Sequence, residues 1–181
     1  MLRKTRLLLT LGVLSGAVWA GTFATFTDSG TATSTFTAGT VDLLISSEAD
    51  DAYAFTSLEM SNMKPGDVQY AGLTVANNGS LGFSYSMSTS ASNTDSKGLR
   101  DQLSLGIRKV TGACTAITYA AAIGSDVLFA EDDLSLGAIS SRTLPSGNEL
   151  LCFKVELPSG TGDAYQAATT TATFTFNATQ S

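Results

Sequence analysis

Histidine is absent from this chain of 181 residues, and its absence excludes several catalytic classes. A Ser-His-Asp triad, a Cys-His dyad, a helical zinc site with paired histidines and a facial iron triad all require an imidazole. Charge is scarce as well, since Asp, Glu, Lys and Arg make up only 14% of the residues. The 10 basic and 16 acidic residues give a net charge of -6, which argues against a nucleic-acid partner.

Serine and threonine are abundant where charge is missing, and this composition favours strands over surface helices. The apolar fraction of 43% is sufficient for a hydrophobic core. Short apolar or alternating segments are separated by Gly, Asn, Asp and Ser turns, a pattern typical of an all-β, two-sheet sandwich with one or two short helices. The predicted strands are 41–45, 53–55, 68–76, 83–88, 103–110, 127–130, 150–157 and 169–178, with short helices at 95–102 and 113–122 and no assignment for 132–139.

Residues 1–24 have the composition of a secretory signal peptide. A basic start at 3–6 is followed by an uncharged apolar run at 7–20, which is shorter than the roughly 20 residues that a membrane-spanning helix needs. An uncleaved N-terminal anchor is the alternative. The sequence therefore predicts export, with membrane contact only in transit.

Two positions in this segment suit signal cleavage, because each follows a small residue. One cut lies between Ala24 and Thr25, and the other lies between Ala20 and Gly21. Cleavage after Ala24 leaves 7 basic and 16 acidic residues, a net charge of -9 that resists binding to anionic membranes and nucleic acid.

Export also bears on the two cysteines, Cys114 and Cys152. An even pair in an oxidising compartment predicts a disulfide, and two reduced core thiols are the alternative.

Residues 25–38 alternate without interruption between two kinds of side chain. Every odd position is Thr or Ser, and the even positions hold small residues and Asp28, with Phe26 and Phe36 near the two ends. A strand places these two sets on opposite faces. Gly30 and Asp28 weaken the segment as a buried strand of its own sheet. The segment either donates itself to another subunit, pairs within its own subunit or forms an unstructured leader.

Four stretches of the sequence resemble the TasA/camelysin family, which is exported with a SipW-type signal peptide. They are GTFATFTD and STFTAGTVDLLIS near the N-terminus, MKPGDVQYAGLTVANNGSLGFSY in the middle and DAYQAATTTATFTFNATQ at the end. The N-terminal stretches are the specific part, since many sandwiches contain a Pro-Gly-Asp turn.

The resemblance implies a secreted, jelly-roll-like protein of the cell surface or biofilm matrix, cleaved after Ala24 by a SipW-type signal peptidase. It also implies a homo-oligomeric fibre, in which the N-terminal strand of one subunit completes the sheet of the next. The resulting domains are a signal peptide (1–24), an N-terminal strand segment (25–40) and a sandwich domain (41–181). The donor-strand residues predicted to enter the neighbouring subunit are Phe26, Gly30, Ala32 and Phe36.

The family is also described as a metallopeptidase, but this chain lacks the residues for zinc chemistry. It has no histidine, its cysteines are predicted to be paired, and its acidic pairs lack the spacing of a calcium loop. We therefore expect a structural protein with no cofactor and no metal rather than an enzyme. A small surface adhesin is the third hypothesis, weakened because the only tryptophan, Trp19, leaves with the signal peptide.

Overall fold

Antiparallel strands make up most of the regular structure in the computed structural model, which describes residues 35, 37–46 and 53–180. Only one short α-helix occurs in these ranges, and none of their helices is long and apolar enough to cross a membrane. The predicted all-β class is confirmed. The strands are β1 (Leu43–Ile45), β2 (Val68–Asn77), β3 (Phe83–Ala91), β4 (Ser104–Val110), β5 (Val127–Asp133), β6 (Ala138–Leu144), β7 (Gly147–Glu156) and β8 (Ala172–Gln180), and the helix is α1 (Ala116–Ala121).

The strands form two sheets that face each other across one core. The larger sheet has the order β1-β2-β7-β4-β5, and the smaller has the order β6-β3-β8. Side chains from both inner faces are fully buried between them, with Phe83 and Tyr85 from the smaller sheet against Leu105 and Phe153 from the larger. The predicted two-sheet sandwich is therefore confirmed.

Alternation explains why these segments form half-buried strands. In β3 the side chains of Phe83, Tyr85 and Met87 point into the core, and the serines between them point outward. β7 departs from alternation because it is central, paired with β2 on one side and β4 on the other. Its outer face at Cys152 is also buried, since α1 packs there.

α1 is fixed to the outer face of the larger sheet by local and covalent contacts. Thr115 caps the helix by accepting a hydrogen bond from the Thr118 backbone N–H, and the Thr118 side chain accepts from the Thr115 N–H in return. Cys114 and Cys152 form a disulfide that joins this excursion to β7, which confirms the predicted pairing.

Removal of that disulfide is expected to destabilise the fold without changing it. Replacing both Cys114 and Cys152 by alanine should lower the free energy of unfolding by about 2–5 kcal/mol, because the unfolded chain loses a cross-link between residues 38 apart. Urea denaturation of the oxidised protein and of the variant would measure the difference. Equal midpoints would contradict the expectation.

Three local predictions were wrong or incomplete. Residues 53–55 do not form a strand, because Phe55 turns inward against Phe153 and the chain continues as a 3-10 turn. The helix predicted at 95–102 is reduced to the 3-10 turn Leu99–Asp101, which follows Gly98 in the left-handed region. Strand β6 was not predicted at all. An irregularity in its pairing with β3 interrupts the alternation of inward and outward residues, so the sequence lacks the regular pattern of a strand.

Candidate functional site

Among the described residues, one edge of the smaller sheet is unpaired along the whole length of β8. β8 pairs with β3 from Ala172 opposite Ala91 to Gln180 opposite Phe83. No other strand in the described ranges pairs with β8, so its second edge presents free backbone donors and acceptors. Such an edge is a template for pairing with another strand.

In the described part of the chain, the order of the strands leaves no strand beside the free edge of β8. The runs β2-β7-β4-β5 and β6-β3-β8 follow the order of a jelly roll. A complete jelly roll places its first and last strands side by side, but β1 lies beside β2 instead, over only three residues. The topology therefore has room for one more strand next to β8.

The inner side of β8 carries apolar side chains that its own sandwich leaves half-buried. Phe174 makes edge contacts with Phe55 and Phe153, at 6.1 and 5.1 Å between ring centroids, and Phe176 lies 6.2 Å from the Tyr85 ring. We call Ala172, Phe174, Phe176 and Ala178 the β8 apolar row; every member is only partly buried, whereas Met87 and Tyr85, the β3 residues opposite Phe176 and Ala178, are buried. An added strand would cover this row.

A cavity of about 930 Å³, lined by both polar and apolar residues, opens beside the start of β8. Phe55, Leu58 and Met63 form part of its wall, and Phe174 connects it to the β8 apolar row. Leu157 also lines it, directly after the end of β7, so we call this end of the sandwich the cavity end. The volume lies within the range of pockets that accept apolar side chains or small ligands.

Residues 39–42 are fastened to the opposite end, at the turn between β2 and β3, which we call the hairpin end. The Leu81 N–H donates to the Thr40 carbonyl oxygen at 3.1 Å, and the Asn78 N–H donates to the Asp42 carbonyl oxygen at 2.9 Å. Gly79 makes this approach possible, because a Cβ there would overlap the Thr40 carbonyl oxygen. The segment that precedes residue 39 therefore starts from the hairpin end.

A buried ion cluster joins the two sheets near the hairpin end. The Glu149 carboxylate on β7 accepts hydrogen bonds from Arg142 on β6, at 3.2 Å from Nε and 2.9 Å from Nη2, and from the Tyr85 hydroxyl on β3. The Lys109 ammonium lies 3.9 Å away. Only 8% of the Glu149 side chain is exposed, so these donors are needed to offset its desolvation.

The same contacts determine how the cluster ionises. Burial by itself would raise the pKa of Glu149, but the hydrogen bonds from Arg142 and Tyr85 outweigh it and lower the pKa below its ordinary value. Burial and the hydrogen bond to Glu149 raise the pKa of Tyr85. A carboxylate saturated by these donors serves as a structural ion pair and is poorly placed to accept a substrate proton.

A second charged group covers the outer face of the larger sheet. The Lys154 ammonium lies 2.8 Å from carboxylate oxygens of Glu131 and Glu156, and these hydrogen bonds outweigh burial and raise the pKa of Lys154. Burial, reinforced by Glu131, raises the pKa of Tyr119 to about 12. Arg108 lies over the Tyr119 ring at 4.3 Å. These contacts hold α1 against the sheet.

The other predicted site residues lie outside the described residues. The cleavage positions and the donor-strand residues stay predictions for that reason. Residues 37–40, the end of the predicted N-terminal strand segment, are described and belong to no strand of the sandwich. The predicted cleavage and donor-strand residues that lie outside the described residues are Ala20, Gly21, Ala24, Thr25, Phe26, Gly30, Ala32 and Phe36.

Comparison with known proteins places the chain in a family. The model of a family described as camelysin metallo-endopeptidase matches residues 6–108 of the chain. No curated protein matches the chain.

The zinc ion implied by that description does not fit the residues present. The sequence has no histidine, and both cysteines are consumed by the disulfide. Within the described ranges, no three acidic or cysteine side chains come together as a metal-binding group. We therefore derive no catalytic step through a metal.

Proposed function

The chain belongs to the camelysin metallo-endopeptidase family, and within that family we propose that it is an exported structural subunit. After removal of residues 1–24 at a SipW-type cleavage site, identical copies assemble into fibres of the cell surface or biofilm matrix. Residues 25–38 of each copy add as a strand to the sheet of the next. The observation that carries the proposal is the open edge of β8 above its half-buried apolar row.

The donor segment has the pattern that this edge requires. A strand added to a sheet edge gains affinity from backbone hydrogen bonds and specificity from alternate side chains that enter pockets. The even positions 26–38 include Phe26 and Phe36, which would cover the β8 apolar row, while the odd hydroxyl positions would face water. Gly30 and Ala32 between them are small enough for close approach to the core.

The positions of the donor segment and of the β8 edge on each subunit favour a filament over a closed dimer. The donor segment starts from the hairpin end, and the β8 edge continues to the cavity end, which lies at the other end of the strands. A contact between two different surfaces of identical copies is head-to-tail, and such contacts build filaments when the rotation does not close a ring.

The proposal assigns no catalytic activity to the chain. Its partners are copies of itself and, during export, the signal peptidase. A mature chain with a net charge of -9 stays soluble as a monomer until the specific strand contact assembles it.

Electron microscopy of two purified proteins tests the proposal. The protein that begins at Thr25 is expected to form filaments, and the protein that begins at Gly39 is expected to stay monomeric with an unchanged circular dichroism spectrum, because residues 39–42 still hold the hairpin end. Filaments of the same form from both proteins would refute strand donation. Monomers from both would refute the fibre.

A further inference from the structure

Two methionines, Met60 and Met63, line the cavity beside the start of β8. Both side chains are partly buried and pack against the main hydrophobic core. Met87 differs from them, because it points into the core from β3 and is only 3% exposed. Of the three methionines that follow residue 24, the two that are partly exposed therefore belong to the same cavity.

The rest of the chain offers a peroxide few other reactive side chains once residues 1–24 are removed. The sequence has no histidine, its only tryptophan is Trp19, and both cysteines are joined in the disulfide. Oxidation at sulfur is therefore left to the methionine thioethers. Because exposure favours oxidation, a peroxide would reach the cavity wall before it reaches the buried Met87.

The cavity lies where the donor strand of a neighbouring copy would extend past the start of β8. Residues 39–42 fasten the end of the donor segment to the hairpin end of its own copy. In a head-to-tail contact, the last residues of the segment therefore lie nearest the cavity end of the acceptor. The segment then runs antiparallel to β8, as the strands of every described pair in the sandwich do.

The spacing within the segment places one aromatic ring at this cavity. A Gly at position 30 and an Ala at position 32 are the small residues that large facing rings require, and antiparallel pairing can set them opposite Phe176 and Phe174. The same register sets Phe36 opposite Thr170, which lines the cavity. The Phe36 ring would therefore enter the space that the two methionines border.

We propose that the cavity receives Phe36 of the neighbouring copy and that oxidation of Met60 and Met63 by a peroxide switches this contact off. The inference rests on the proposed function, because the occupant is supplied by strand donation. In the reaction, the sulfur lone pair attacks one oxygen of hydrogen peroxide, an S–O bond forms and the O–O bond breaks. The proton on the attacked oxygen moves to the departing hydroxide. The thioether is thus oxidised to a sulfoxide, and the peroxide is reduced to water.

The sulfoxide opposes entry of the ring because it is polar. Its oxygen accepts hydrogen bonds from water, and a phenylalanine side chain that displaces this water offers no donor in exchange. One buried acceptor left without a partner is enough to weaken a contact about tenfold. Oxidised monomers are therefore expected to assemble poorly while their sandwich stays folded, since Met87 in the core is spared.

Hydrogen peroxide treatment of the monomer that begins at Thr25 tests the inference, with the peroxide removed by gel filtration before assembly. Mass spectrometry locates the added oxygen, and the protein concentration left in solution after sedimentation of filaments measures assembly. M60L/M63L removes both thioethers at nearly constant volume, and M87L is the matched control in the core. We expect oxygen on Met60 and Met63, with about a tenfold rise in dissolved protein for wild type and M87L and no rise for M60L/M63L.

Equal loss of assembly in M60L/M63L and in wild type would overturn the inference, as would full assembly of wild type that carries both sulfoxides. A changed circular dichroism spectrum of the oxidised monomer would also overturn it, because the loss would then come from unfolding. Absence of filaments from untreated wild type would refute the proposed function itself. If M60L/M63L assembles poorly before treatment, the single variants M60L and M63L decide in the same assay.

Discussion

Replacing Phe36 by aspartate is expected to abolish fibre formation, whereas the same substitution at Thr35 is expected to leave it intact. Neighbouring residues of a strand point to opposite faces, so position 36 would enter the β8 apolar row and position 35 would face water. A carboxylate forced against the β8 apolar row would be desolvated without a partner, and burial of an unpaired charge is far more costly than loss of one apolar contact.

The matched pair separates strand donation from a general effect of charge. Both variants add one negative charge to the same segment, and Thr35 itself is exposed. The measurement is the mass of sedimented filament at equal protein concentration, with electron microscopy of the pellet. Equal loss in both variants would mean that charge alone acts on assembly, and unchanged assembly in both would mean that the even face of the segment enters no groove.

Arg142→Ala is expected to lower the free energy of unfolding by about 3 kcal/mol, because it leaves the buried Glu149 carboxylate without its bidentate partner. Arg100→Ala is the control. Arg100 pairs with Asp101 on the surface, where the side chains are 38% and 48% exposed, and donates one hydrogen bond to the Ala91 carbonyl oxygen, so its loss is expected to cost only about 1 kcal/mol. Urea denaturation at neutral pH measures both.

The pH dependence provides a second check on this cluster. The pKa of Glu149 is lowered in the folded state, so its contribution to stability is present above the unfolded pKa and is lost as pH falls through the folded pKa. The difference in stability between wild type and Arg142→Ala should therefore be greatest at neutral pH and should shrink in acid. A difference that does not change with pH would show that Arg142 acts by packing rather than by pairing with the carboxylate.

The parts of the fold that follow from alternation could be predicted from the sequence. In β3 the inward residues Phe83, Tyr85 and Met87 are apolar and the residues between them are serine, so the sequence shows which side of the strand faces the core. β7 was equally clear, because a central strand covered on both faces carries a continuous apolar run, here residues 150–153. In β6 the inward Arg142 is polar and the pairing with β3 is irregular. The sequence of β6 therefore does not show which side of the strand faces the core.

The candidate site could be predicted only in part, because its components are far apart in the sequence. The alternation of Phe and Thr in β8 predicted a strand with one apolar side, but not that β8 would lie at an edge. The neighbours of a strand are decided by the packing of the whole sandwich. The same limit applies to the ion cluster, since Tyr85 and Glu149 are 64 residues apart and meet only when the two sheets pack. The disulfide was predictable because the chain contains one possible pair.

Hydrogen exchange on the monomer and on the assembled form tests the central claim most directly, because it reports on the β8 edge itself. The account predicts that the backbone amides of residues 172–180 gain protection on assembly, since an added strand supplies hydrogen bonds to an edge that β3 leaves open. The amides of β5, the edge strand of the larger sheet, should change little. Protection gained at β5 with none at β8 would contradict the account.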